Sequence, residues 1–158
     1  MGLIDFIKGA GAKIFGKEAP PPEPHVDPEE HRRVQRENAL LRLVSEHGLE
    51  VEGLRVQLVG DTVIAEGRAS SQALREKVVL ALGNVEGVAH VDDRIEVVVP
   101  EPPSQYHTVV SGDNLSKIAK RYYGNANKYP VIFEANQPML KHPDKIYPGQ
   151  VLRIPPQA

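Results

Sequence analysis

A chain of 158 residues, 41% hydrophobic and 25% charged, has room for one ordinary domain or two small ones and the balance of a soluble globular protein. It has no cysteine, which excludes a disulfide framework and a thiolate zinc site, and no run near the roughly 20 apolar residues of a transmembrane helix. The net charge of −2 hides an asymmetry: residues 1–100 carry 12 Lys and Arg against 17 Asp and Glu, residues 101–158 carry 7 against 4. Neither part is basic enough for a nucleic-acid surface, and their opposite signs let them dock on each other in a monomer.

The chain opens MGLIDFIKGAGAKIFG, with no basic region ahead of an apolar core and no small-residue cleavage site, so no secretory signal is read and a cytoplasmic location is expected. Gly2 fits an acylation signal poorly because Phe6 stands where Ser or Thr is needed. Leu3, Ile7, Ala10 and Ile14 are spaced as a helical stripe beside Lys8, Lys13 and Lys17, which predicts a helix that packs on the next domain or lies in a lipid interface. APPPEP (Ala19 to Pro24) and PEPP (Pro100 to Pro103) interrupt regular structure. They divide the chain into an N-terminal segment (1–19), a linker (20–27), a middle domain (28–99), a second linker (100–104) and a C-terminal domain (105–156).

In the middle domain Asp27, Pro28 and Glu30 mark a helix start, with Val34, Leu40, Leu41 and Val44 on its apolar face and Gly48 at its end. Leu54, Val56 and Leu58 alternate with polar residues, Gly60-Asp61 turns the chain, and a strand returns from Val63 to Ala69. A second helix starts near Ser70 or Ser71, places Leu74, Val78, Ala81, Leu82 and Val85 on one face, and gives way to a strand from Val91 to Val99. Two helices over one face of a three-stranded sheet follow. In the C-terminal domain Leu115, Ile118, Ala119 and Tyr122 form a helical face, Gly124 ends that helix, and Pro148-Gly149 turns into an apolar last strand.

Catalytic constellations are missing from this pattern. The six histidines fall in different elements without HExxH spacing, Ser111 lacks a nucleophile elbow, and Asp92-Asp93 lacks the alternating ligands of a calcium loop. No enzymatic activity is expected.

GDTVIAEGRAS, starting at Gly60, and ALGNVEGVAHVDDRIEV, from Ala81 to Val97, resemble the BON domain, an αββαβ module with a GVxxV element before its last strand. YHTVVSGDNLSKIAKRYYG, from Tyr106, and IYPGQVLRIP, from Ile146, resemble LysM, a βααβ module; an α+β chain of two small domains is thus implied. The LysM likeness implies a groove for peptidoglycan fragments and other N-acetylglucosamine polymers at Asp113, Asn114 and Asn136. The order MGLxxFxKxAG, BON, LysM resembles the cytoplasmic bacterial potassium binding proteins of the BON–LysM type, which implies selective binding or sensing of the potassium ion.

Potassium is large and singly charged, so a ring of neutral carbonyl dipoles suits it better than a carboxylate cage. GNVEGV, from Gly83 to Val88, offers such dipoles: two glycines let the backbone leave helical geometry, and the last turn of a helix has carbonyls without intrahelical partners. A second segment is needed to surround an ion, and the resemblance implies FIKGAG, from Phe6 to Gly11, as a loosened helix end. The carbonyls it implies are those of Ile7, Lys8, Ala10, Gly83, Val85 and Val88, with the Val85 and Val88 side chains keeping water out.

Overall fold

The computed structural model describes residues 2–15 and 27–156; the linker expected at 20–27 lies outside them apart from Asp27. The first helix, α1 (Pro28–Glu46), is capped by the Asp27 carboxylate, which accepts a hydrogen bond from the Glu29 N–H at 3.0 Å. Leu40 and Val44 are buried on its inner face, whereas Val34, expected beside them, is 41% exposed. At 3.6 residues per turn Val34 sits about 100° round the helix from the Leu40–Val44 line, which takes it off the buried stripe.

Strands β2 (Glu52–Val59) and β3 (Thr62–Ala69) form the expected hairpin, with Val56 and Leu58 turned to the helices opposite Ala65 and Val63. Helix α2 (Gln72–Gly83) starts at Ser71, whose hydroxyl accepts the Leu74 N–H at 3.1 Å, and crosses back so that β4 (His90–Val97) runs parallel to β3. Val63, Ala65, Val91 and Ile95 carry the sheet's share of the core, and α2 adds Val78 through Leu82.

The sheet has four strands, not three. Gly2–Asp5 form β1, antiparallel to β4 with Ile4 opposite Val91, and the order is β1-β4-β3-β2. The expected N-terminal helix is therefore corrected to a strand and a turn. Ile4 and Phe6 point inward at a spacing of two while Leu3 is 59% exposed, so the relevant period is that of a strand. The lipid-interface reading of the stripe falls with the helix.

In the second domain β5 (Gln105–Thr108) pairs antiparallel with β6 (Val151–Ile154), and α3 (Leu115–Tyr123) and α4 (Tyr129–Ala135) lie between them in sequence, joined through a 3-10 turn at Ala126–Lys128. Leu115, Ile118, Ala119, Ile132, Leu140, Leu152 and Ile154 form its core. Val151 instead belongs to the core of the first domain. Among the described residues, no helix is long and apolar enough to cross a membrane.

Candidate functional site

The chain leaves β1 at Asp5, buries Phe6 and folds into a turn closed by the Ala10 N–H donating to the Ile7 carbonyl at 3.1 Å. This turn lies along the loop that follows α2. The Phe6 N–H donates to the Ala89 carbonyl at 2.7 Å, the Gly87 N–H to Lys8 at 2.6 Å, the Ala12 N–H to Asn84 at 2.9 Å and the Glu86 N–H to Ala12 at 2.9 Å. The two segments proposed from the sequence thus interlace through main-chain bonds.

Each glycine here has its own reason. Gly83 remains helical, and a Cβ on it would overlap the Phe6 ring, so its role is to admit Phe6 rather than to bend the backbone. Gly87 does bend it, with φ +104, and Gly11, with φ +108, lies so close to the Asn84 carbonyl that a side chain would collide with main chain.

Of the six residues, Val85 and Val88 are fully buried and turn their side chains into the core. Gly83 ends α2 beneath Phe6; Ile7, half-exposed, and Lys8 form the outer limb of the turn with Ala10. The Ile7, Lys8 and Val85 carbonyls accept one N–H each, from Ala10, Gly87 and Val88, and a carbonyl oxygen has a second lone pair. Among the described residues, the main-chain bonds that tie these loops together use none of the carbonyls of Ala10, Gly83 and Val88.

The local charges suit a monovalent cation. The last turn of α2 holds no basic residue, so the negative end of its dipole is not neutralised. The Lys8 ammonium is drawn away to the Asp61 carboxylate at 3.7 Å, and the Lys13 ammonium to Glu86 at 3.9 Å. Among the described residues no group of three His, Cys, Asp or Glu could hold a metal ion.

The three residues expected in a glycan groove are otherwise engaged. Asn114 caps α3 by accepting the Lys117 N–H at 2.8 Å, and Asp113 accepts from the Val110 N–H at 3.0 Å and lies 2.9 Å from His107 Nε2. Those backbone and histidine hydrogen bonds hold the Asp113 carboxyl below its ordinary range. Asn136 does not face a groove: it is 2% exposed, its Nδ2 donates to the carbonyls of Ile132 and Arg153, and its Oδ1 accepts the Arg153 N–H.

Sequence reasoning missed the polar seam between α2 and β6. The side-chain amide of Asn84 donates to the Val151 carbonyl and accepts the Val151 N–H, both at 2.8 Å, and Arg153 Nε meets Glu76 Oε1 at 2.9 Å in a buried ion pair. The Ser104 N–H also donates to Glu76, at 2.8 Å. Asn84 stands next to Gly83 in the quoted motif, but its partner lies 67 residues away, beyond any local pattern.

A sheet backed by two helices, joined to a βααβ unit along that seam, defines a two-domain BON–LysM protein. Residues 34–99 match the BON domain and residues 107–155 the LysM domain. The chain is 42% identical to a protein of Escherichia coli O6:H1 named Potassium binding protein Kbp, over 98% of this chain and 99% of that one, and it belongs to that protein's family. An uncharacterized protein of Deinococcus radiodurans is 38% identical over 61% of this chain and 42% of its own length. An esterase of Mycobacterium tuberculosis shares 45% identity over 53 residues, which are 11% of its length.

Proposed function

We propose that this is a non-enzymatic, cytoplasmic potassium-binding protein that holds the ion on main-chain carbonyls of Ile7, Lys8, Ala10, Gly83, Val85 and Val88. The observation that carries the reading is the interlacing of the 6–12 and 84–89 segments through four main-chain hydrogen bonds, which brings two carbonyl-rich turns together at the negative end of α2. Identity to a relative named for potassium binding along nearly its whole length supports the choice of ion. Neutral carbonyls replace the hydration shell of potassium without the charge density that favours divalent ions. A cysteine-free chain fits a reducing cytoplasm. The glycan reading rests on the LysM match, while the side chains of Asp113, Asn114 and Asn136 hydrogen-bond within their own domain.

Calorimetric titration of the full chain with potassium and with sodium at matched ionic strength tests the function. The expected result is saturable heat with potassium and a rise in melting temperature that sodium does not match, since a ligand bound to the native state alone stabilises it. Anomalous scattering from crystals grown with thallium(I) tests the location. A peak bounded by the two turns supports the site; equal responses to the two cations, or a peak elsewhere, sink the reading.

A further inference from the structure

We propose that Asn84 is a positioning residue through which β6 of the LysM domain sets the geometry of the carbonyl turn; this rests on the potassium reading above. All four polar groups of Asn84 are committed. Its N–H donates to the Leu80 carbonyl at 2.9 Å, its carbonyl accepts the Ala12 N–H at 2.9 Å, and its side-chain amide pairs with both main-chain groups of Val151 at 2.8 Å. The amide thereby acts as a one-residue strand edge for β6.

The consequence for the carbonyls follows from peptide planarity. The Gly83 carbonyl shares a rigid plane with the Asn84 N–H and points opposite to it, so holding that N–H on Leu80 aims the oxygen away from the helix. The Val85 carbonyl shares a plane with the Glu86 N–H, which is held on Ala12. Asn84 and Val85 lie between these two planes, and the peptide plane that joins them carries the Asn84 carbonyl, held on the Ala12 N–H. Its side chain is anchored to a strand whose first residue, Val151, is 2% exposed and packed into the BON core.

The same stretch of LysM also meets the other carbonyl segment. A Cβ on Gly149, which has φ +93, would stand 2.7 Å from the Ala10 Cβ and 3.5 Å from that of Ile7. Gly149 to Val151 therefore touches both limbs of the carbonyl cluster, one through Asn84 and one through Ala10. The buried Glu76–Arg153 pair is a second contact between the same two elements, separate from Asn84.

Asn84→Ala and, independently, Gly149→Ala in the full chain test the inference by calorimetric titration with potassium and sodium below the melting temperature of each variant. The expected result is about tenfold weaker potassium binding by each folded variant, the loss typical of removing an outer-shell support, together with a reduced preference over sodium. A residue that only glues the domains would lower the melting temperature in potassium-free buffer and leave the dissociation constant and the ion preference of the folded protein unchanged. That outcome in Asn84→Ala overturns the proposal, and if Asn84→Ala does not fold, Asn84→Asp, which keeps the acceptor for the Val151 N–H and loses the donor to the Val151 carbonyl, decides in its place. A wild-type chain without potassium heat removes the function reading and this inference with it, whereas wild-type heat matched by the variants removes only the inference.

Discussion

The seam between the domains and the loop from Ser111 to Asn114 are built from the same residue types and use them oppositely. In the LysM loop, Asp113 reaches Val110 and His107, and Asn114 reaches Lys117, so every side-chain bond closes within six residues. In the seam, Asn84 reaches Val151 and Glu76 reaches Arg153, across 67 and 77 residues. Such a loop is complete as local structure. The turn after α2 is held instead by distant partners.

The largest expected effect is on the seam's charge. Arg153→Met leaves Glu76, 2% exposed, without its cation, and removing one member of a buried pair costs about 4 kcal/mol in chemical denaturation. Glu76→Met with Arg153→Met recovers much of that loss if the pair specifies docking more than it stabilises it. The pair also predicts an acid limb. Burial alone would raise the Glu76 carboxyl, but the Ser104 N–H, the side chains of Gln72 and Ser104, and the Arg153 charge outweigh it and hold it below the ordinary 4.5. The unfolded chain then binds the proton more tightly, so this share of stability is complete above pH 4.5 and lost as pH falls through the lower folded value. Denaturant midpoints between pH 3 and 6 should fall less steeply on acidification in Glu76→Gln than in the wild type; parallel curves would remove Glu76 from the acid limb.

Next in size is the contact under the carbonyl turn. Gly83→Ala puts a methyl group into the Phe6 ring and should destabilise the chain by about 3 kcal/mol, through overpacking or expulsion of Phe6. The Phe6→Leu change makes room, so the double variant should lose less than the sum of the singles. Additive losses would show that the methyl group is accommodated elsewhere.

What the sequence reveals and what it conceals follows the same division. The caps Asp27 and Ser71, the Gly60-Asp61 turn and the Gly124 stop are readable because each is decided within a few residues, whereas Asn114, expected in a groove, is a cap. The N-terminal stretch fits a helical stripe at Leu3, Ile7, Ala10 and Ile14 and a strand pattern at Ile4 and Phe6 equally well; the exposed edge of β4, far along the chain, settles it as a strand. Gly83 and Gly87 look alike in sequence, yet one makes space for an aromatic ring and the other supplies a positive φ. Asn136 resembles a ligand in a loop until Arg153 is beside it. The carbonyl segments were reached through family resemblance and dipole chemistry, and Asn84, standing between Gly83 and Val85, was passed over because its partners are main-chain atoms of another domain.

A smaller effect follows at Gly87, where alanine must adopt φ +104 with the Phe15 ring 3.5 Å from its methyl group. The strain should cost about 1–2 kcal/mol and, by turning the Gly87 N–H away from the Lys8 carbonyl, weaken the potassium response together with stability. Stability lost without any change in the ion response would separate the turn's shape from binding.

The smallest effect sharpens the contrast from the other side. Asn114→Ala removes the cap of α3, whose Oδ1 accepts the Lys117 N–H at 2.8 Å, and a lost cap costs about 1 kcal/mol. That loss should appear in full as a lower denaturant midpoint, because the cap's partner is the first turn of its own helix. It should not reach the ion site, since among the described residues Asn114 makes no hydrogen bond to β6 or to the turn after α2, and the Leu115, Ile118 and Ala119 core behind it stays packed. Potassium and sodium titrations of Asn114→Ala should therefore superimpose on those of the wild type. A potassium affinity that fell along with the midpoint would mean that the LysM helices transmit strain to Val151, and would place the loop inside the functional unit rather than beside it.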